Sequence, residues 1–253
     1  MNYRNAQATL LTISFYVLGM GGLYLSISHN INAKKSIQRY QTVSIAETFL
    51  TEENKANNID SVAVWHNNND HWLIATTKST HKLFVYDACT GKEIKNIGTF
   101  GKGQNQFARP NGIGIIDDLV FVVERDNHRV QAFKLPHFEC LGCFAEEKLR
   151  HPYGIAIYKK NPTTYHLYIT DNFNITDNDS SNKRVHLYNV VHDNNHITEN
   201  LVETFGKCSG KDALQKVESI LADPEHNRLF IADESKHCIK IFDINGFSSE
   251  TFL

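Results

Sequence analysis

A β-hairpin pattern that recurs four times along the chain limits the fold more than any other feature of the sequence. The clearest copy runs from Leu119 to Phe133, where two apolar runs flank a polar turn from Asp126 to His128. Alternating apolar runs on either side of a short polar turn are typical of two antiparallel strands. The same order of strand, turn and strand recurs in three further segments, which span residues 73–86, 167–188 and 229–242.

Each hairpin has a further short apolar segment before it and another after it. One unit therefore contains about four strands within roughly 40 to 50 residues, which is the repeat length of propeller blades. The first strands of the units begin near Ser61, Pro110, Pro152 and Val217. For residues 59–253 we predict an all-β fold, a β-propeller of four-stranded antiparallel blades, of which about four are present.

The N-terminal segment differs in composition from the rest of the chain. Residues 8–28 contain no charged side chain, and about 20 uncharged residues are enough to cross a bilayer as a helix. A cleaved signal peptide is the alternative, although its apolar core is usually shorter and the residues before Lys34 form a poor cleavage site. We expect a transmembrane or signal helix within residues 1–33, which contacts the membrane through residues 8–28, and a linker over residues 34–58.

Such a segment predicts a membrane-anchored or secreted protein, with the propeller on the extracytoplasmic side. Positive charges flank the apolar run at both ends, with Arg4 before it and Lys34 and Lys35 after it. Because the orientation of a membrane segment follows the side that carries more positive charge, these residues leave the orientation open.

Charge and cysteine content exclude two classes of protein. The formal net charge is −2, and the basic residues are scattered along the chain, so the sequence offers no basic face for nucleic acid. The chain contains five cysteines, an odd and small number for its length, which argues against a disulfide framework.

Three carboxylates occupy unusual places in the last predicted blade. Glu218 lies within an apolar strand, and Asp233 and Glu234 are adjacent where the next strand ends. Either all three face solvent at strand ends, or they share a site that needs a cation, an arginine or a proton, because an unpartnered buried carboxylate is costly. These residues alone leave both interpretations open.

Several segments resemble known propeller families. GKGQNQFARPNGIGI followed by VVERDNHRVQAF resembles NHL-type propeller repeats. Together with HPYGIAIY and VESILADPEHNRLFIADES, the order of segments from Ile59 to Leu253 is similar to that of the β-propeller phytases and phytase-like bacterial proteins. This resemblance implies a six-bladed propeller that hydrolyses phosphomonoesters of inositol hexakisphosphate, with calcium bound in a polar channel.

The resemblance also implies roles for individual residues. The implied calcium ligands are Asp60, Glu218, Asp233 and Glu234, of which the last three are also the implied catalytic residues. The residues that it implies for binding the phosphorylated substrate are Lys78, Arg125 and Tyr153.

The sequence departs from the family pattern at three places. Lys78 is the only member of a family lysine pair that is kept, and Asn172 stands where the family has another lysine. The later acidic segments of the family would lie beyond Leu253, so the family pattern is C-terminally incomplete in this sequence.

The chemistry of the implied residues fits phosphate ester hydrolysis. Calcium held by carboxylates lowers the pKa of a bound water and neutralises a phosphate, and an arginine can bind phosphate oxygens with two hydrogen bonds. We therefore expect a phytase-like, calcium-dependent phosphomonoester hydrolase that acts on an inositol phosphate.

Two other hypotheses remain open, and one partner is expected in addition. The first alternative is a non-catalytic NHL-like propeller that binds a protein or glycan partner, and the second is a fragment without a folded function. Four blades of a six-bladed pattern would leave two apolar blade faces uncovered, which predicts that a second chain completes the propeller.

Overall fold

The structure is a computed structural model that describes residues 12–18, 22–28, 49–51, 55–173, 183–210, 213–246 and 248–252. The chain divides into two compact units, Met1–Glu47 and Thr48–Leu253. Most of the predicted linker, residues 34–58, lies outside the described residues.

The first unit contains a β-hairpin where the sequence predicted a helix. Strand β1 (Thr12–Leu18) pairs antiparallel with strand β2 (Gly22–Ser28). The predicted transmembrane or signal helix over residues 8–28 is therefore wrong. Five of the seven residues of β1 are β-branched or aromatic, which favours extended backbone, and Gly19 and Gly21, between the strands in the sequence, disfavour a helix. The described part of the chain contains no helix that is long and apolar enough to cross a membrane.

The second unit contains four sheets of four antiparallel strands, and in each sheet consecutive strands are neighbours. Blade 1 consists of β3 (Ile59–His66), β4 (His71–Thr77), β5 (Lys82–Asp87) and β6 (Glu93–Ile97). A short parallel pair, β7 (Thr99–Phe100) and β8 (Gln106–Phe107), follows it. Blade 2 consists of β9 (Pro110–Ile116), β10 (Leu119–Glu124), β11 (Arg129–Lys134) and β12 (Glu139–Phe144).

The other two blades have the same order. Blade 3 consists of β13 (Pro152–Asn161), β14 (Thr164–Asp171), β15 (Lys183–Asp193) and β16 (His196–Lys207). Blade 4 consists of β17 (Val217–Asp223), β18 (Arg228–Asp233), β19 (Cys238–Phe242) and β20 (Ser248–Phe252), with single 3₁₀ turns at Pro224–His226 and Glu234–Lys236. The four antiparallel, four-stranded blades are those that the sequence predicted.

The turn between the second and third strands ends in a histidine in three of the blades. His81, His128 and His237 have φ values of 58°, 57° and 49°. This left-handed region is uncommon for residues other than glycine, but histidine, asparagine and aspartate adopt it more often than most. A polar segment of three residues connects the second strand to each of these histidines. The local chemistry of this turn is the reason that the repeat is visible in the sequence.

The apolar core lies between neighbouring blades. Three clusters fill the three junctions, and each combines residues of two blades: Trp65 with Val122, Phe121 with Leu167, and Tyr168 with Leu229. Because burial of one large apolar side chain contributes about 1.5–3 kcal/mol, these clusters are the main stabilising contribution of each junction.

The first strands of successive blades lie against one another at the centre of this unit. In the order β3, β9, β13 and β17 each contacts the next, and all four line one cavity. A Cβ atom on Gly112 would lie 2.4 Å from the carbonyl oxygen of Tyr153, and one on Gly154 would lie 2.1 Å from that of Glu218. Only glycine permits the two backbones to approach so closely at these junctions.

Two threonine hydroxyls connect neighbouring first strands at the same level. The Thr76 hydroxyl of blade 1 donates to the carbonyl oxygen of Asn111 in blade 2 at 2.6 Å. In blade 3, Thr170 Oγ1 accepts from the amide of Gly154 at 2.7 Å and donates to the carbonyl oxygen of Glu218 at 3.3 Å. Strands that belong to different sheets are thereby held in register with each other.

We expect Gly154→Ala to lower the free energy of unfolding by about 1–3 kcal/mol, because the added methyl group meets backbone that cannot move without shifting blade 4. Chemical denaturation of the purified variant measures this change. The matched control is Gly103→Ala, whose methyl group meets only the flexible end of the Gln106 side chain and should change stability by less than about 0.5 kcal/mol. An equal loss in both variants would contradict the role given to the close approach.

Candidate functional site

Because of the strand register, the predicted site residues lie near one end of the first strands. In every blade the first residue of the first strand pairs with the last residue of the second strand. The next residues along the four first strands are therefore equivalent, and they are Asp60, Asn111, Tyr153 and Glu218. The residues that directly follow the second strands are equivalent too, and they are Lys78, Arg125, Asn172 and Glu234.

A polar cavity of about 320 Å³, the axial cavity, lies where the four first strands meet, with Asp60, Tyr153 and Glu218 in its wall. The Tyr153 hydroxyl donates a hydrogen bond to Asp60 Oδ1 at 3.1 Å, and Lys78 Nζ contacts the same oxygen at 2.5 Å. Asp60 Oδ2 is buried and has no hydrogen-bond partner among the described residues. One cation thus balances the Asp60 carboxylate.

The environment of Tyr153 keeps its phenol protonated. Burial is the largest cause, and together with the negative charges of Asp60 and Glu218 it raises the pKa of Tyr153 to about 12. Each of these causes disfavours a phenolate. Near neutral pH, Tyr153 therefore acts as a hydrogen-bond donor in this cavity.

A larger cavity of about 570 Å³ adjoins the axial cavity, and Tyr153 and Glu218 line both. We call it the mouth cavity. Its wall contains four basic side chains, Arg109, Arg125, Arg184 and Lys216. The neutral hydrogen-bonding residues in the wall are Tyr153, Asn172, Gln215 and Ser235. Glu218 is the acidic residue of this wall, and Asp126 and Glu234 outside it pair with Arg125 and Lys216. Arg109 and Arg184 have no carboxylate partner among the described residues, so positive charge in the mouth cavity is least balanced at these two arginines.

Contacts with neighbouring groups fix the buried Arg184 in the wall of the mouth cavity. Its guanidinium lies 4.3 Å from the centre of the Phe173 ring. Its Nη1 donates to the carbonyl oxygens of Asp171 at 3.3 Å and Phe173 at 2.5 Å. A guanidinium held in this way loses little conformational freedom when it binds a ligand.

Lys216 connects two of the predicted acids. Its Nζ lies 3.4 Å from Glu218 Oε1 and also contacts Glu234 Oε2. The hydrogen bond between Lys216 and Glu234 raises the pKa of Lys216 and lowers the pKa of Glu234. Both groups are therefore charged at neutral pH, and Glu234 has a cation as its neighbour.

The Asp233 carboxylate binds backbone amides of its own blade. Its Oδ2 accepts from the amide of Gln215 at 2.9 Å and its Oδ1 from that of Lys216 at 3.1 Å. Asp171 at the equivalent position of blade 3 accepts two amides in the same way, from Arg150 and His151. The carboxylate at the end of the second strand thus holds the segment that leads into the first strand.

The four implied calcium ligands do not form one group. Asp60 pairs with Lys78, Asp233 binds backbone amides, and Glu218 and Glu234 both contact Lys216. Throughout the described ranges, no three side chains of histidine, cysteine, aspartate or glutamate come together as a metal site.

Sequence analysis did not single out three of the basic residues at the mouth, Arg109, Arg184 and Lys216. Arg109 and Lys216 occupy equivalent positions, because each directly precedes a first strand. The backbone carbonyl of each of these two residues accepts a hydrogen bond from the amide of the residue that follows the second strand of the same blade. Alignment of the segments that precede the first strands would have revealed this signal.

No protein-family model matches the sequence, and a search of the curated proteins found no match. Solved structures share the fold. A functionally unknown protein from Desulfotomaculum acetoxidans has a TM-score of 0.53 at 15% identity, covering 77% of this chain and 57% of its own. The hydrazine synthase of Kuenenia stuttgartiensis has a TM-score of 0.52 at 12% identity, covering 83% of this chain and 52% of its own. A nidogen/laminin complex gives a TM-score of 0.47 at 13% identity, covering 72% of this chain and 59% of its own.

The first two structures show the fold alone, because their sequence identity is so low. The chain spans between one half and three fifths of each of the three matched chains. The arrangement of four blades is therefore that of a β-propeller, and the likeness carries no activity to this protein.

We expect Asp233→Asn to lower the free energy of unfolding by about 1–3 kcal/mol, because one of the two amides that it binds loses its acceptor. The neighbouring Glu234→Gln is the matched control. Its side chain is exposed, so the change should stay within about 0.5 kcal/mol. Denaturation with and without calcium measures both variants, and a loss in Asp233→Asn that appears only with calcium would contradict the backbone role.

Proposed function

We propose that this chain is a non-catalytic β-propeller that binds a small anionic molecule, such as a phosphorylated or carboxylated metabolite, in its mouth cavity. The observation that carries the proposal is the convergence of Arg109, Arg125, Arg184 and Lys216 on one cavity whose acidic wall residue is Glu218.

Electrostatics supports an anion as the ligand. Like charges that converge on a cavity with partly buried walls repel one another, and a bound anion relieves this repulsion. Arginine presents a planar fork of donors that fits carboxylate and phosphate oxygens, and the side chains of Asn172 and Gln215 add further donors. The buried Arg184 is already oriented before a ligand arrives.

The ion pairs and hydrogen bonds of the acidic residues support a binding function without catalysis. Metal-assisted hydrolysis needs carboxylates that converge on one ion and leave a position open for water. Asp60, Glu218 and Glu234 each have a lysine as neighbour, and Asp233 accepts two backbone amides. A calcium ion would have to displace these partners.

A phytase-like phosphomonoester hydrolase is the second candidate, and one observation favours it. Asp60 and Glu218 line the axial cavity together with Tyr153, directly beside the basic mouth. A phosphate held by the arginines would lie next to two carboxylates, one of which has an oxygen without a hydrogen-bond partner within the described residues.

Inorganic pyrophosphate is a suitable probe for the anion site. We expect Arg125→Gln to weaken its binding about tenfold or more, because a hydrogen bond to a charged group contributes about 1.5–3 kcal/mol. Isothermal titration calorimetry at two salt concentrations measures the loss, and higher salt should weaken binding to the unchanged protein.

Lys159→Gln is the matched control because it removes the same charge from an exposed ion pair with Asp117, whose residues do not line the mouth cavity. Its pyrophosphate affinity should equal that of the unchanged protein. Absence of pyrophosphate binding, or an equal loss in Arg125→Gln and Lys159→Gln, would overturn the proposal.

Phosphate release from inositol hexakisphosphate separates the two candidates. With the carboxylates paired as they are, we expect no release above the buffer rate with calcium or with a chelator. A colorimetric phosphate assay on the purified chain and on Glu218→Gln measures it. Calcium-dependent release that Glu218→Gln abolishes would establish the hydrolase in place of the binding protein.

A further inference from the structure

Every blade of the second unit has two faces. The front face is directed toward the preceding blade in the chain, and the back face toward the following one. On the front faces of blades 2 to 4, the first strand contributes two apolar residues that pack against the preceding blade. These pairs are Ile113 with Ile115, Ile155 with Ile157, and Ile220 with Ala222.

Blade 1 has a front face of the same kind, but part of this face is exposed to solvent. Val62 and Val64 occupy the equivalent positions of its first strand and are 56% and 61% exposed, whereas Ile113 of blade 2 is 7% exposed. Phe84 and Tyr86 continue the apolar face on the third strand, where their rings stack, but they are already buried, so the exposed part of this face is at Val62 and Val64. This surface has the composition of a blade junction.

Blade 4 has the complementary feature on its back face. Strand register places Ile239 at the position that Leu83, Val130 and Val185 occupy in the other blades. Those three residues are completely buried, whereas Ile239 is 47% exposed. Leu221 on the first strand of blade 4 is 63% exposed. The back face of blade 4 is therefore the second half of a blade junction.

We propose that copies of this chain associate head to tail, because the back face of blade 4 in one copy and the front face of blade 1 in the next reproduce the junction that the chain forms three times within itself. This inference does not depend on the ligand of the mouth cavity.

A second copy is the partner that these faces fit. The two surfaces match by position and by residue class, since Val62 and Val64 stand where other blades place Ile or Ala, and Ile239 stands where they place Leu or Val. Both halves belong to one chain, so each copy offers what the next one requires. Contacts between two different surfaces of the same protein are heterologous and close into a ring where the rotation permits.

Sedimentation velocity or light scattering of the full chain tests the association. At about 100 µM, where even a micromolar interface is saturated, the mass should be that of two or more 28.8 kDa chains. Val64→Glu and Leu221→Glu each place a carboxylate in the proposed junction, where it would have no partner. Each variant alone should have the mass of a single chain.

Mixing the two variants gives the decisive result. Val64→Glu keeps an unchanged back face and Leu221→Glu an unchanged front face, so an equimolar mixture should recover the mass of a pair. Front-to-front or back-to-back pairing predicts instead that one variant alone still pairs and that mixing restores nothing.

Val202→Glu is the control, because Val202 is an exposed apolar residue on the last strand of blade 3, away from both faces. It should keep the mass of the unchanged chain. All three variants alter exposed positions and should unfold within about 0.5 kcal/mol of the unchanged protein, which denaturation verifies. A single-chain mass for the unchanged protein at the highest concentration, or a mixture that does not pair, would overturn the proposal.

Discussion

The close approach of the first strands is the constraint on which the rest of the propeller depends. At Gly154 the backbone of blade 3 comes so near to the carbonyl of Glu218 that no side chain fits between them. Threonine hydroxyls connect neighbouring strands at two of the three junctions and set their relative height. Because the strands are held at one height, residues at equivalent positions of different blades form a layer. The polar site is the layer directly before the one that contains Gly112 and Gly154.

Equivalent positions in this layer do not carry equivalent chemistry. The first-strand position holds Asp60 in blade 1 and Glu218 in blade 4, with the uncharged Asn111 and Tyr153 between them. The basic groups of the mouth come from blades 2 to 4. Arg109 and Lys216 precede first strands, Arg125 follows a second strand, and Arg184 lies on a third strand. The acids Asp60 and Glu218 thus line the axial cavity, and the four basic side chains line the mouth cavity, which shares Glu218 with it. The fold supplies symmetric positions, and the sequence of each blade decides which sign of charge occupies them.

The blades were predictable from the sequence because their signals are local. Alternating apolar strands and a polar turn that ends at His128 or His237 specify a hairpin without information from distant residues. The N-terminal segment was not predictable, since an uncharged apolar run of that length fits a helix or two strands. Arg184 was missed because its position depends on contacts with Phe173 and with a carbonyl of another strand. For Asp233, the sequence shows an acid but not the two amides that it binds.

Blade 1 differs from the other blades in the contacts that hold the start of its first strand. Blades 2 to 4 end their second strands with a carboxylate that accepts amides from the segment before the first strand. Blade 1 has Thr77 at this position, and its hydroxyl bonds to Thr80 and to the carbonyl of Lys82 in its own turn. The start of β3 lacks that carboxylate. The Thr80 hydroxyl donates instead to Asn57 Oδ1, and the amides of Lys78 and Ser79 donate to the carbonyls of Asn58 and Asn57. The Lys78–Asp60 ion pair adds a further link between this turn and β3. The ion pair at the axial cavity thus links the turn of blade 1 to its first strand as well as balancing charge, so a cation that displaced Lys78 would also remove this link.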